Sequence, residues 1–487
     1  MHQSRPDLTP FFAPRSIAIV GVSRGASSLS GTSFLDRLLD SGFPGPLYPI
    51  NPKATAIRGL RSYPSLTSLP EAPELVIVCI PAVQVPLVLE ECGQNGLKYI
   101  HILSAGFSET GSEEGKALEE RLAAIARKMG LLIMGPNCMG PYCPSAGLTA
   151  WGAIPGRAGH LGIISQSGGL TQRLTEYTCS LGIGVNKAAS IGNATVLDST
   201  DYLEYMAEDE GIRLIALYLE SVRDAKRLLH LVKDINRHKP IILLKGGNTR
   251  AGASTVASHT GSLAGEQRVW EAFTRQTGVI RALSMNEWVD AILAFSHLQE
   301  PCGNGTFLVG GGGGNSVLHA DTSIREGLTV PSLSDANMGK LRRIVPAAGS
   351  IAGNPLDLWA TLQDHACLAE VLEIACSDPH IDMVIVDRLI PRKAFHVPDI
   401  PGSTAALIDC IGGNRLRKPT VFIVDSEGGD PDLASKGSTL RAQLCEAGIP
   451  AYPSFERAAR ALVHLHHYHS RFRILSAGDA PEGQTSV

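Results

Sequence analysis

Beyond residue 145 this sequence sets out one series of strand, turn and helix signals and then sets it out again, and that duplication limits the fold more than any other feature. In the first copy the apolar run Gly162-Ile-Ile-Ser165 passes into Gln166-Ser-Gly-Gly169 and a helical pattern. In the second, Thr306-Phe-Leu-Val309 passes into Gly310-Gly-Gly-Gly-Gly314 and another. Ile191-Gly-Asn193, with Asp198 behind it, is echoed by Gly353-Asn-Pro-Leu-Asp357. Leu214-Ile-Ala-Leu-Tyr-Leu219 is echoed by Met383-Val-Ile-Val386, and Lys239-Pro-Ile-Ile-Leu-Leu-Lys-Gly-Gly247 by Lys418-Pro-Thr-Val-Phe-Ile-Val424 with Gly428-Gly429. Each copy closes on a short strand and a helix, Gly278-Val-Ile280 before Glu287 to Leu293, and Gly448-Ile449 before Phe455 to Leu462. Any two α/β domains share strand–glycine–helix punctuation, but five correspondences in one order exceed that. Continuous apolar runs between helices are strands covered on both faces, which is a parallel sheet. The expected result is two flavodoxin-like domains, at 145–300 and 301–475.

The N-terminal part alternates in the same way without joining the repeat. Ser16-Ile-Ala-Ile-Val20, Leu47-Tyr-Pro-Ile50, Leu75-Val-Ile-Val-Cys-Ile80, Tyr99-Ile-His-Ile-Leu103 and Leu131-Leu-Ile-Met134 read as parallel strands of a Rossmann-like domain over 1–144, with an amphipathic stretch from about Gly31 to Leu39. Three domains suit a chain of 487 residues at roughly 100–200 residues per domain. A net charge of -4 without basic runs leaves no footprint for nucleic acid. The ten cysteines lack paired C-x-x-C spacing, so they read as reduced thiols in the cytoplasm and no metal site is expected. The opening residues lack a signal-peptide core. No apolar run reaches the roughly 18–20 residues that span a bilayer, so no membrane association is expected. The polar stretch 476–487 reads as a disordered tail.

Several turns carry chemistry. Gly21-Val-Ser-Arg24 leaves backbone N–H groups free at a helix start, where the dipole favours an anion and Gly21 lets a phosphate approach. It is not a complete G-x-G-x-x-G, which weakens a dinucleotide reading. Asn51-Pro-Lys53 stands at the carboxyl end of the next strand, the edge at which open α/β sheets bind ligands. Lys53 there either pairs with a phosphate or is solvated. Ile80-Pro81-Ala82 and Ser104-Ala105-Gly106-Phe107 share that edge, as ligand contacts or as ordinary turns. Ser167-Gly168-Gly169 is a second anion-holding helix start. A serine nucleophile there would want G-x-S-x-G, and Ser165-Gln166 breaks that spacing. In Ala257-Ser-His-Thr-Gly-Ser-Leu-Ala-Gly265, His259 sits in a small-residue loop with no apolar face to pack against. An imidazole so placed can attack a phosphoryl group if a carboxylate orients its other nitrogen. Glu220, closing the run Leu214 to Leu219, is the candidate orienter, the alternative being a solvated strand-end carboxylate. The second copy has no histidine at the matching place.

Taken in order, Ile17-Ala-Ile-Val-Gly-Val-Ser23, Tyr48-Pro-Ile-Asn-Pro-Lys53, Leu103-Ser-Ala-Gly-Phe107, Gly135-Pro-Asn-Cys-Met-Gly140, Ser165-Gln-Ser-Gly-Gly-Leu170, Gly192-Asn193 with Asp198 and Asp201, Tyr218-Leu-Glu220 and Ser258-His-Thr-Gly-Ser262 form a set. With them the chain, from Phe11 to about Leu465, resembles the ADP-forming acyl-CoA synthetases of the acetyl-CoA synthetase type. More distantly it resembles the α subunit of succinyl-CoA synthetase. The resemblance implies a CoA-binding N-terminal domain, with Gly21, Ser23, Arg24, Lys53, Ile80, Pro81, Ser104 and Ala105 along CoA and Asn137 near its thiol. It implies that His259 is transiently phosphorylated, that Glu220 orients it, and that Ser167, Gly168 and Gly169 hold the phosphate. The implied reaction interconverts acyl-CoA, ADP and phosphate with a small carboxylic acid, CoA and ATP, through an acyl phosphate and a phosphohistidine. No ATP-grasp domain follows Leu475, so ATP or ADP with Mg²⁺ is expected on a separate ATP-grasp β subunit in an α2β2 assembly. Two other readings stand beside this one: a CoA- or acyl-CoA-sensing regulator that lost turnover, and a Rossmann oxidoreductase suggested by the first domain alone. Gly310 to Gly314 is richer in glycine than the resemblance implies.

Overall fold

The apolar runs of the N-terminal part close into short, largely buried strands, as a sheet flanked by helices on both faces requires. The strands are β1 (Ile17–Val20), β2 (Leu47–Ile50), a small hairpin of β3 (Ala56–Ile57) and β4 (Leu60–Arg61), β5 (Leu75–Val78), β6 (Tyr99–Ile102) and β7 (Leu132–Met134). In the computed structural model they form a parallel sheet in the order β2-β1-β5-β6-β7, with Ile17 opposite both Leu47 and Leu75. The structure describes residues 5–23, 25, 30–149, 151, 156–260, 266–310, 312–346, 350–358, 361, 364–388, 403–411, 417–426 and 430–478, with backbone alone at 257–260 and 475–478.

The second sheet contains β8 (Gly140–Tyr142), β9 (Ala158–Ser165), β10 (Val185–Ser190), β11 (Leu214–Leu219), β12 (Ile241–Lys245) and β13 (Ile280–Ala282). Its order is β13-β12-β11-β9-β10-β8, parallel throughout except that β8 runs antiparallel on the edge beside β10. This edge strand precedes residue 144, so the second sheet draws on chain from before the expected domain boundary. The third sheet contains β14 (Thr306–Val309), β15 (Met383–Asp387), β16 (Thr420–Ile423) and β17 (Ala451–Tyr452), parallel in that order. On the free side of β14, single bridges from Gly305 to Thr329 and from Val309 to Leu356 stand where β10 stands beside β9. The two parallel arrays therefore repeat one topology, β13-β12-β11-β9 matching β17-β16-β15-β14.

The chain divides into two compact units, one with the first two sheets (Met1–Cys179 and Gly184–Leu283), the other with the third (Ser180–Ile183 and Ser284–Val487). Within the first unit one apolar core runs from Leu8, Phe11 and Phe12 through Ile19 and Phe34 to Ile164, Leu217 and Leu243, with no break between the two sheets. All ten cysteines are free. Among the described residues no helix is long and apolar enough to cross a membrane. The last helix, Phe455–Gly478, runs past the expected start of the tail, so 476–478 complete a helix rather than begin a disordered segment. Residues 479–487 lie outside the described residues.

Candidate active site

The carboxyl edge of the second sheet gathers the residues with chemical potential. Glu220 follows β11 directly and is 7% exposed. Its Oε1 accepts a hydrogen bond from the Tyr218 hydroxyl at 3.0 Å, while its Oε2 is buried and has no hydrogen-bond partner among the described residues. Burial, and then the neighbouring Glu220 carboxylate, push the Tyr218 phenol well above its ordinary range. Gln166, just past β9, crosses to this strand: its side-chain oxygen accepts from the backbone N–H of Glu220 at 2.6 Å and of Ser221 at 3.0 Å. Its own N–H donates to the Tyr218 carbonyl. Gln166 thus ties the anion-holding turn to the carboxylate, a role that sequence reasoning did not assign although the residue stands within the Ser165 to Leu170 motif.

Beside Gln166, Ser167 precedes the helix Gly168–Ser180. The Ser167 hydroxyl accepts from Leu170 N–H at 3.3 Å and its N–H donates to Ser165 Oγ at 3.1 Å. The N–H groups of Gly168 and Gly169 have no partner among the described residues, as the first turn of a helix leaves them. On the other side of Glu220, β12 ends in Lys245 and passes into Gly246. A side chain on Gly246 would sit 2.5 Å from the Tyr218 hydroxyl and 3.3 Å from Glu220 Cγ, so only glycine lets the chain pass this close. From there the chain enters the helix Arg250–Thr260, whose first turn Thr249 caps by accepting from Gly252 N–H. His259 lies in the last turn of this helix. The expectation of a loop is corrected in that respect, because small residues such as Ala251, Ala253 and Ala257 are helix formers as well as loop formers. The His259 side chain and residues 261–265 lie outside the described residues. The helix passes beside the short turn Ser108–Thr110 of the first sheet's module.

At the carboxyl edge of the first sheet, a cleft of about 300 Å³ is lined by Gly21, Ile50, Asn51, Ile80, Gln84 and Leu87 among others. Gly21 has φ +95°, and a Cβ there would lie 2.2 Å from the Cys79 carbonyl oxygen, so strand packing as well as ligand access demands glycine. The helix expected directly after Gly21 starts only at Gly31, capped by Ser30; its first residue nonetheless packs against the Gly21 backbone. Ser23 turns its hydroxyl to the Gly25 carbonyl, and Arg24 lies outside the described residues. Lys53 is exposed beside the cleft, its N–H held by Asn51 Oδ1 at 2.8 Å. Pro81 and Ala105 are exposed on the same edge. The Ser104 hydroxyl is spent within the protein, accepting from Ile80 N–H at 3.1 Å and donating to the Ile80 carbonyl at 2.5 Å.

Asn137 (φ +57°) joins this edge to the second sheet, its side-chain amide donating to Asn193 Oδ1 at 3.3 Å. The Asn193 amide in turn donates to Glu109 at 2.6 Å and to the buried Glu119 at 2.9 Å. Glu119 also accepts from the Thr195 hydroxyl at 2.7 Å and pairs with Arg223 at 3.5 Å. Asp198 and Asp201 form a capping box on the helix Ser199–Glu208, so these two motif residues hold structure rather than ligand.

In the second unit the equivalent edge differs. Gly310 and Gly312 take φ of +87° and +74° before the helix Gly312–Glu326, and Gly311 lies outside the described residues. Asp387, the last residue of β15, is 5% exposed; burial and then the nearby Asp425 raise it to about 6. His319 Nδ1 lies 3.9 Å from that carboxylate, its ring stacked on Phe455, and burial lowers it to about 4.

Comparison with known proteins agrees with this architecture. The CoA binding domain model matches residues 15–144 and the succinyl-CoA ligase like flavodoxin domain matches 158–295. A CoA-binding sheet followed by a ligase-type flavodoxin sheet defines the class: an acid–CoA ligase, not a dinucleotide oxidoreductase or a CoA sensor. The α subunit of the ADP-forming acetate–CoA ligase I of Pyrococcus furiosus is 35% identical over 472 residues, which are 94% of this chain and 97% of that one. The ADP-forming acetate–CoA ligase of Methanocaldococcus jannaschii is 34% identical over 93% of this chain and 62% of its own. A solved structure of the Candidatus Korarchaeum cryptofilum dinucleotide-forming acetyl-coenzyme A synthetase 1, with phosphate and ADP, superposes with TM-score 0.85 at 30% identity, covering 97% of this chain and 99% of that one. The chain belongs to the family of ADP-forming acetate–CoA ligase α subunits.

Proposed function

We propose that the chain carries the phosphoryl group of its ligase reaction on His259, with Glu220 orienting the imidazole and the Ser167-Gly168-Gly169 turn holding the phosphate. The observation that carries this reading is the buried Glu220 carboxylate, one oxygen bonded to Tyr218 and the other without a described partner. A buried carboxylate oxygen without a donor costs on the order of 1–3 kcal/mol or more, which an imidazole N–H would offset. The strand next to Glu220 leads within a few residues into the helix that bears His259.

In the direction of acid release, phosphate oxygen attacks the acyl carbonyl, the carbon–sulfur bond breaks, and CoA leaves as the thiol. A ring nitrogen of His259 then attacks the acyl phosphate, the carboxylate leaves, and Glu220 takes up the positive charge developing on the ring. ADP finally accepts the phosphoryl group from the histidine. The cleft beside Gly21, Asn51 and Ile80 suits the adenosine end of CoA, with exposed Lys53 as a phosphate partner; Ser23, Pro81 and Ala105 line the same edge, Arg24 is proposed as a further CoA contact by its place in the sequence, and Asn137 stands toward the thiol. ADP or ATP with Mg²⁺ belongs on a separate ATP-grasp β subunit in an α2β2 cytoplasmic assembly. In a test, the chain is mixed with that subunit, Mg²⁺ and radiolabelled ATP. Acid-labile label should appear on this chain and vanish in His259→Ala, and label that persists in the variant would remove the assignment.

A further inference from the structure

Lys245 closes the apolar strand β12 and is 2% exposed. An ammonium so placed is costly unless its donors are used. Its Nζ donates to the Glu220 carbonyl oxygen at 3.0 Å and to that of Gly246. It also faces the Trp270 ring, 5.2 Å from the centroid. These contacts reach three places around the His259 segment. Gly246 opens the turn into the helix Arg250–Thr260, Trp270 belongs to the helix Gln267–Thr277 on the far side of the segment, and Glu220 supplies the carboxylate. A second brace reinforces the first flank. The Asn248 amide donates to the Lys245 carbonyl at 2.7 Å and accepts from Arg281 Nη2 at 3.0 Å. In the second parallel array, where no histidine answers to His259, Val424 stands in the place of Lys245: Ile215 N–H donates to the Pro240 carbonyl as Val384 N–H donates to that of Pro419, and Lys245 and Val424 lie at the same distance beyond those prolines.

We propose that Lys245 is a positioning residue for phosphoryl transfer, its ammonium holding Glu220 and both flanks of the His259 segment in one arrangement. The proposal rests on His259 being the phosphoryl carrier. The charged and titratable groups around Nζ are the Glu220 carboxylate and Tyr218 hydroxyl from β11 and the Arg281 guanidinium from β13. Burial lowers the Lys245 ammonium, the Glu220 carboxylate raises it, and Arg281 lowers it again, leaving it at about 8. Above that pH the amine keeps hydrogen-bond donors but loses its charge and its attraction to Trp270, so transfer should fall on the alkaline side.

The test uses the enzyme reconstituted with its ATP-grasp subunit and reads the rate of acid-labile labelling across pH, with CoA affinity measured alongside. Lys245→Met should slow labelling about 100-fold, the scale of a misplacement of about 1 Å, and leave CoA affinity unchanged. Lys245→Arg, which stays charged, should recover much of the rate and lack the alkaline fall. Trp270→Phe, a weaker cation partner, should move that fall to lower pH, and it decides the matter if Lys245→Met does not fold. Wild-type labelling rate in Lys245→Met, or one alkaline profile shared by wild type, Lys245→Arg and Trp270→Phe, overturns the proposal. No label on wild-type protein overturns the carrier role of His259 and this proposal with it.

Discussion

The two parallel arrays share strand order and differ in the residues at the carboxyl ends of their strands. Backbone bonding aligns them residue by residue: Ile215 N–H donates to the Pro240 carbonyl as Val384 N–H donates to that of Pro419, so Tyr218 answers to Asp387 and Leu219 to Arg388. In the first array a buried carboxylate lies just beyond the strand, with a buried lysine on the next. In the second the carboxylate lies two residues earlier, where the first has Tyr218, an arginine takes the place of Leu219, and valine takes the place of the lysine. Both arrays bury their strands β11 and β15 completely, so apolar packing there does not distinguish them. A handful of positions at strand ends does, which is how one fold hosts different tasks.

The comparison can be broken most decisively at Glu220. Glu220→Gln keeps size and a Tyr218 contact but removes the charge, and should cut labelling about 10²–10⁴-fold, as loss of a histidine-orienting carboxylate does elsewhere. Near-normal labelling would make the two strand ends equivalent after all. A smaller effect is expected at Asp387, whose carboxyl is held near 6 against an ordinary 3.8. Below pH 4 it is protonated folded or unfolded. As pH rises toward 6 the unfolded chain ionises first, so stability is lost through that window. Asp387→Leu should therefore stabilise the protein by up to about 3 kcal/mol at pH 7 and by little at pH 4, read by denaturant unfolding at both. A fall in labelling in this variant would mean that the second array shares in the chemistry. The smallest effect should come from outside both arrays. Lys53→Ala should raise the KM for CoA about tenfold at low salt and less at high salt, and leave labelling from ATP intact.

Much of this was legible in the sequence, and the exceptions have physical reasons. Apolar runs bounded by glycine marked the buried parallel strands well. Gly140–Tyr142 escaped because an antiparallel edge strand containing proline carries no such run. The helix after Gly21 begins late because its start is set by Ser30 capping, not by the glycine turn. Glu220 showed itself as a charge closing an apolar run, and Lys245 carried the same signal in Ile241-Ile-Leu-Leu-Lys245, where the repeat drew attention to the strand instead. Gln166 was not readable, because its partners lie more than fifty residues away on a neighbouring strand.

The amide of Asn193, shared between Glu109 and Glu119, has a mechanical meaning. Prising the first sheet from the second would strip two carboxylates of a common donor, at roughly 1.5–3 kcal/mol for each bond, and would split an apolar core that runs through both. Against a total stability of about 5–15 kcal/mol, that is a steep toll for a hinge. The cleft beside Gly21 and the Glu220 edge therefore travel as one rigid casting, and in the proposed reaction whatever distance the phosphoryl group covers is not bridged by those two sheets swinging apart.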